Sequence, residues 1–354
     1  MRIWSVAPVA AAAFAAIGAS SGPALAEQGQ RLSGPHVYEN LAVYFVHGAS
    51  APGAVPLTLQ EAVAKGKVQV IETGRVNELQ IENTGTEPVF VQAGDIVKGG
   101  KQDRVLTVSF LLPATSGRLP IASFCVEQGR WTARGKEDVN KFSSASEAMP
   151  SRAALLAMAA PAAAKDGGFR PAGAPAGGGE VAAKQKQVWD SVAATQSKLA
   201  GGLNAAVASP SSATSLQLSL ENETLQGARA SYLAALQAKG EAEPDTLGYV
   251  VAINGQISSA NLYPSNAMFR KMWDKQLVAV VTEAIGEKSG ASAAGSAPAL
   301  AKATAFLAEA ERGKPVARAA AAGTRQETRD GDKTLYNEAR GGDGGWLHRS
   351  YLAK

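Results

Sequence analysis

Cysteine is almost missing from this chain of 354 residues: Cys125 is the only one. One thiol forms no internal disulfide, so no covalent staple holds the fold and the core must do so. Histidine occurs only at His36, His47 and His348, without HxH or HxxxH spacing, so no metal-ligand motif is legible. No GxSxG elbow, paired Ser/Lys motif or phosphate-binding loop is present, which leaves no recognised catalytic motif and no cofactor box. Aromatic residues make up 6% of the chain, while Ala and Gly are plentiful, so helices must pack closely through small side chains. Charge of neither sign dominates: Lys and Arg number 35 against 31 Asp and Glu, a formal net charge of +4. The basic residues are scattered, which argues against a nucleic-acid groove. Beyond the N-terminus no apolar run reaches the about 20 residues needed to span a bilayer.

The N-terminus itself reads as an export signal. Arg2 supplies a positive start, residues 6–17 form an Ala-rich apolar run interrupted by Pro8, and Ala24-Leu25-Ala26 is a small-x-small cleavage site. Cleavage after Ala26 leaves Glu27 as the mature N-terminus and places the protein in the periplasm or outside the cell, with no membrane anchor. No Arg-Arg pair precedes the run and no Cys follows it, so neither a twin-arginine signal nor a lipid anchor is indicated.

Residues 40–131 read as β-rich. Strands are expected at 41–46, 68–72, 78–83, 89–93, 104–112 and 119–126, separated by Gly, Asn and Asp turns. Thr58 to Glu61 fits a capping box that opens a short helix stopped by Gly66. From Lys136 the pattern turns helical, with helices expected around 153–160, 181–199 and 225–236. Residues 161–179 are a Pro/Gly/Ala stretch expected as a flexible loop. The two longer helices are expected to pair as an antiparallel hairpin across a linker at 209–214. Asn254-Gly255 between apolar runs signals a two-residue β-hairpin. Ser265 then caps a helix with Phe269, Met272, Trp273, Leu277, Val280 and Ala284 on one face. A small-residue linker at 289–298 leads to an Ala-rich helix, and 334–338 with 346–351 form a closing strand pair.

This order predicts an α+β fold: an antiparallel β-sandwich or partial barrel with a helical insertion and C-terminal helices. The expected organisation is a signal over 1–26, a β-rich module over 35–133, a helical insertion over 134–240, and a hairpin, helices and strands over 241–354 that complete the same domain.

One polar constellation stands out. Gly99-Gly100-Lys101-Gln102-Asp103-Arg104 opens an apolar strand, and period-two alternation puts Gln102 and Arg104 on the face of Leu106 and Phe110, at the mouth of the core. A buried Arg needs a partner. Ser123, Cys125 and Glu127 share a face of the next strand, which brings Glu127 within reach of Gln102 or Arg104, with Arg130 just beyond. The residues support two readings: an anion-binding or acid/base pocket built from Lys101, Gln102, Arg104, Glu127 and Arg130, or an Arg104–Glu127 ion pair that pins the hairpin. Cys125, inside an apolar strand, reads as a packing residue rather than a nucleophile.

The run over 57–131, with LTLQEAVAKGKVQVIETG, ELQIENTGTEPVFVQAGDIVKGGKQDRVL and CVEQGRW, resembles the ARG and rhodanese-phosphatase-superfamily-associated protein domain. The helix at 269–284 and the closing WLHRS are similar to later segments of that family, so the resemblance covers roughly 35–352. It implies association with ADP-ribosyl-glycohydrolase and phosphatase-like proteins, and it carries no catalytic residues over to this chain. The resulting expectation is a non-catalytic periplasmic binding or accessory module for a small anionic ligand or protein partner. The alternatives are a hydrolase-like or transferase-like enzyme at the GGKQDR loop, and an interaction scaffold built on the helical hairpin.

Overall fold

The run Leu41-Ala42-Val43-Tyr44-Phe45-Val46 shows no polar alternation, which calls for a strand covered on both faces. The computed structural model describes residues 29–132, 138–159, 178–288 and 296–354. In it, this run is β2 (Leu41–His47), which follows β1 (Arg31–Tyr38) and is buried throughout. Leu41, Val43 and Phe45 enter one core, while Ala42, Tyr44 and Val46 enter another on the opposite face.

The next strands are β3 (Leu57–Thr58), β4 (Val68–Arg75), β5 (Glu78–Asn83), β6 (Val89–Val91), β7 (Asp95–Gly99), β8 (Arg104–Leu106), β9 (Phe110–Leu112), β10 (Gly117–Cys125) and β11 (Phe142–Ala148). Helix α1 (Leu59–Ala64) starts at the expected capping box: the Glu61 N–H donates to Thr58 Oγ1 at 3.1 Å and the Thr58 N–H to Glu61 Oε2 at 2.8 Å. A six-stranded sheet runs β11-β7-β8-β10-β5-β4, and a three-stranded sheet runs β3-β6-β9. Together they form a half-barrel around Val70, Leu79, Ile81, Val91, Phe110 and Leu112.

The single strand expected over 104–112 is broken here. β8 pairs with β7 and β10, whereas β9 pairs with β6 in the other sheet. The chain turns the corner of the half-barrel at Thr107–Ser109, and one straight strand cannot serve two sheets. β11 is a second departure, because FSSASEA has a helical or loop-like composition and becomes a strand by pairing with β7.

The helices are α2 (Arg152–Ala159), α3 (Gly178–Leu203), α4 (Leu216–Leu220), α5 (Glu223–Glu241), α6 (Asn266–Gly286) and α7 (Leu300–Ala310). The expected loop over 161–179 lies outside the described residues except at its end, where 178–179 begin α3. The expected linker over 289–298 is described only from 296, and the expected signal also falls outside the described residues. α3 and α5 do not form a private hairpin. Both pack against α6, which lies between them and β12 (Thr246–Ile253). Their apolar stripes, Val188, Val192 and Leu199 on α3 and Leu225, Tyr232 and Leu236 on α5, are buried in the core that contains Phe269, Trp273 and Leu277 of α6.

β12 joins β13 (Gln256–Leu262) through Asn254 and Gly255, at φ 50° and 75°, the two left-handed positions of the expected tight turn. The last strands are β14 (Pro315–Ala319), β15 (Arg325–Asp330), β16 (Thr334–Arg340) and β17 (Trp346–Ala353). The eight-stranded sheet runs β1-β2-β12-β13-β17-β16-β15-β14, with α7 on one face and α6 on the other. The architecture is α+β: a large antiparallel sheet, a layer of helices, and a half-barrel beyond them. Among the described residues, no helix is long and apolar enough to cross a membrane.

Candidate functional site

Two places warrant comparison: the GGKQDR loop, and a cleft between the half-barrel, the helices and the large sheet.

The loop brings all five expected residues together. Gly99 and Gly100 adopt φ 121° and 56°, and the chain passes so close to β11 that a Cβ on Gly100 would meet the Phe142 ring at 2.2 Å. Arg104 is wholly buried, yet its charge partner is Glu72 of β4, with Nη2 to Oε2 at 3.6 Å, rather than Glu127. Its Nη1 donates to the Gln102 carbonyl at 3.0 Å, and its guanidinium lies 5.5 Å from the centre of the Trp131 ring. Lys101 Nζ sits over the same ring at 5.3 Å.

Glu127 is paired with Arg130 instead, Nε to Oε2 at 2.7 Å, and accepts the Ser212 hydroxyl at 2.6 Å. Arg130 also reaches Asp103 Oδ1 at 3.6 Å and the Gly100 carbonyl at 3.2 Å. Gln102 donates to the Glu127 carbonyl at 2.8 Å, and Ser215 donates to Asp103 Oδ2 at 3.2 Å. Ser212 and Ser215 belong to the segment that leads into α4, so the expected 209–214 linker lies on the loop and does not span open solvent. Lys101, Arg104 and Arg130 therefore stand among Glu72, Asp103 and Glu127. The three cations and three carboxylates balance, while Arg104 Nε and Nη2 are buried without a hydrogen-bond partner among the described residues. Glu72 was invisible as a partner because it lies 32 positions upstream on a strand with no unusual signal.

Cys125 faces Arg104 across the β8–β10 ladder. Its backbone N–H and C=O are both held by the Gln185 amide of α3 at 2.9 Å, as a neighbouring strand would hold them. Burial pushes its thiol up to about 11, so it remains a protonated core residue.

The cleft encloses about 1110 Å³, just above the range of roughly 300–1,000 Å³ usual for small-molecule sites. Leu155 and Met158 of α2, Val280 of α6 and Phe124 of β10 supply apolar wall, and the large sheet supplies a polar floor. On that floor His348 of β17 links the layers. The Asn261 carboxamide oxygen is an acceptor and lies 2.9 Å from His348 Nε2, so Nε2 carries the proton. Nδ1 is then left to accept the Ser109 hydroxyl at 3.0 Å. The chain continues from Asn261 Nδ2 to the Tyr249 hydroxyl at 2.7 Å and on to Gln276 Oε1 at 3.2 Å, while the Ala93 N–H donates to Ser109 Oγ at 3.0 Å.

Ser109, His348 and Asn261 thus form an ordered row resembling a nucleophile-base-orienter set. However, burial lowers the imidazole pKa to about 3. So weak a base abstracts a serine proton poorly at neutral pH, and the row is better suited to presenting fixed polar groups than to moving protons. Glu283 of α6 also lines the cleft. Burial, the largest influence, raises its carboxyl to about 7, against the Arg152 backbone N–H that it accepts at 3.1 Å. None of these cleft residues was read as part of a site from the sequence. Ser109, at the corner between β8 and β9, and His348, in β17, lie 239 positions apart, and neither has an unusual local signal. Among the described residues, no group of three or more His, Cys, Asp or Glu could hold a metal ion.

A half-barrel, a helical layer and a large antiparallel sheet with a roomy cleft between them define an α+β protein. The family model described as ARG and Rhodanese-Phosphatase-superfamily-associated Protein domain matches residues 29–352, and the chain belongs to that family. No curated protein and no solved structure matches it.

Proposed function

We propose that the chain is exported and acts outside the cytoplasm as a non-catalytic small-molecule-binding module, with its ligand in the interlayer cleft. The observation that carries this reading is the cleft itself: about 1110 Å³ of preformed space where apolar wall meets a convergent row of oriented polar groups. The GGKQDR loop supports this module as the hub that ties β4, β8 and the α4 approach together. The low basicity of His348 argues for binding over turnover.

Binding is tested by thermal-shift screening of carboxylate, phosphate, nucleotide and sugar compounds against wild type and two cleft-filling variants, Ala279→Trp and Ala159→Trp. A ligand at a hundredfold excess over its Kd stabilises the fold by about 2.7 kcal/mol, a readily measured shift. The expected result is a shift in wild type that shrinks in whichever variant remains folded. An equal shift in both folded variants would move the ligand elsewhere.

Export is tested by expressing the whole chain in a Gram-negative host and measuring the mass of the periplasmic product. A chain that begins at Glu27 is expected. Recovery only in the cytoplasm with residues 1–26 retained would refute export.

A further inference from the structure

Outside the cleft, Ser33, His47 and Asp245 form a second polar row. Ser33 Oγ lies 2.7 Å from His47 Nε2, and His47 Nδ1 lies 2.9 Å from Asp245 Oδ1. Asp245 sits just before β12. Burial raises its carboxyl pKa, but the hydrogen bond and charge of His47, with Arg31, outweigh burial and leave it below the ordinary value. Asp245 is therefore an ionised acceptor, so Nδ1 carries the proton. In the neutral ring Nε2 is then the acceptor, and the Ser33 hydroxyl donates to it. This is the bond order of a nucleophile, a general base and the carboxylate that orients the base. The Ser109–His348–Asn261 row differs in its last member. A carboxylate stabilises the imidazolium that forms when the base takes a proton, and a carboxamide oxygen carries no charge to do so.

The fold leaves this row open on one side. β1 is an edge strand of the eight-stranded sheet, and Ser33 on it is half-buried. The His47 side chain is out of water, whereas that of Asp245 is 40% exposed. Ser33 stands opposite Phe45, one diagonal step from His47 on the same sheet face. Directly after Ser33 the β1–β2 register shifts. Gly34 takes φ 102° there, so close to β2 that a Cβ would meet the Val43 carbonyl at 2.9 Å. Irregularities of this kind re-aim the side chains beside them. The main chain already anchors the Asp245 segment, because β2 pairs with β12 and the Gly48 N–H donates to the Asp245 carbonyl at 2.9 Å. Arg31 precedes Ser33 by two positions and so shares its face. Its Nη2 donates to Asp245 Oδ2 at 3.0 Å, and its other donors make no hydrogen bond among the described residues. They bring positive charge to the edge where an oxyanion develops when Ser33 attacks a carbonyl.

We propose that Ser33, His47 and Asp245 are a serine esterase centre on the edge of the large sheet. It goes beyond the binding reading of the cleft and does not depend on it; non-catalytic behaviour then describes the cleft alone. Ser33 Oγ attacks the ester carbonyl carbon as its proton passes to His47 Nε2. The tetrahedral intermediate expels the alcohol, which takes that proton from His47 and leaves Ser33 acylated. Water then attacks the acyl carbon and gives a proton to His47. Collapse releases the acid and returns the proton to Ser33 Oγ. The sum is ester plus water to acid plus alcohol, with no co-reactant besides water. Asp245 acts through His47 and is a positioning residue. The charge offered to the oxyanion is a side-chain cation, and an alkoxide leaves more readily than an amide anion. The substrate class is therefore the carboxylic ester.

The test treats the purified protein with a fluorophosphonate, maps the adduct by peptide mass, and follows hydrolysis of para-nitrophenyl acetate. The adduct is expected on Ser33. Ser33→Ala is expected to keep the wild-type melting temperature, since Ser33 is half-buried on an edge strand, and to lose turnover by about a thousandfold. Asp245→Asn is expected to lower kcat by about a hundredfold with KM unchanged, and Asp245→Glu to recover part of that loss. The adduct is mapped on wild type, so this reading does not require any variant to fold. Ser33 unlabelled, with Ser33→Ala as active as wild type, overturns the proposal. A loss in Asp245→Asn that follows its melting temperature and is not recovered by Asp245→Glu overturns the orienting role of the carboxylate. The thermal-shift screen of the cleft reads a different site, so either proposal can fail while the other stands.

Discussion

Arg104→Ala is expected to destabilise the fold by about 3–5 kcal/mol, because it strands Glu72 as a buried carboxylate without its cation. Both side chains are out of water: Arg104 is 0% exposed and the Glu72 side chain 4%. Removing one partner leaves the desolvation cost of the other uncompensated, and removing both restores much of the loss. Arg104→Met combined with Glu72→Leu is therefore expected to be markedly more stable than Arg104→Ala or Arg104→Met alone. Urea unfolding of the variants measures this directly, and the coupling energy comes from the double-mutant cycle. Additive single effects would mean that the two charges do not interact. The same cycle run with Glu127 in place of Glu72 is expected to show weaker coupling, because Glu127 is held by Arg130 and Ser212. This contrast separates the observed pairing from the Arg104–Glu127 pair that strand alternation alone suggested.

The second large effect is on pH stability, and it comes from two groups that line the cleft and shift in opposite directions. His348 has its pKa lowered by burial, from the usual 6.5 to about 3. Between those values the unfolded chain binds a proton that the folded chain refuses. Stability therefore falls as pH drops through the window, by up to about 5 kcal/mol in all. Glu283 has its pKa raised by burial from 4.5 to about 7, with Arg152 and Lys198 pulling it down and Glu287 pushing it up. Here the folded chain keeps a proton that the unfolded chain has lost, so stability falls as pH rises through that window, by up to about 3 kcal/mol.

The two trends offset between about pH 4.5 and 6.5, and the His348 effect acts alone below that range. Urea midpoints at pH 4, 6 and 8 read both. Glu283→Gln is expected to gain on wild type at pH 8 and not at pH 4. His348→Gln is expected to lose stability at pH 6 through the broken row to Ser109 and Asn261, with the deficit shrinking or reversing at pH 4. Curves parallel to wild type at all three pH values would show that neither group titrates as its burial requires.

Much of the fold was legible because it rests on local chemistry. Thr58 and Glu61 cap α1 through reciprocal bonds three residues apart, and Asn254-Gly255 builds its turn from two adjacent left-handed residues. Ser265 caps α6 in the expected place, with its hydroxyl accepting the Met268 N–H. The unbroken apolar run at 41–46 announced a strand, and the structure covers both of its faces. The GGKQDR loop was also found, since a buried Arg beside paired glycines and an apolar strand is a local signal. β1, β3, β7, β11, β14 and β15 were missed; of these, FSSASEA, PVARA and RQETRD carry little β preference and are strands only through their neighbours in the sheets.

By itself the sequence determined where most helices and many of the strands lie, the α+β class, the family resemblance and the residues of one polar loop. Those properties depend on side chains within a few positions of one another. Only the tertiary structure decided that the strand at 104–112 breaks between two sheets, that α3 and α5 both turn to α6, and that Arg104 pairs with Glu72. It alone assembled the cleft, whose Ser109, Ser123, Trp189, Asn261, Arg318 and His348 come from distant segments. Such contacts are set by how whole layers pack, and packing depends on the summed fit of many apolar side chains. No residue's near neighbours in the chain record that fit.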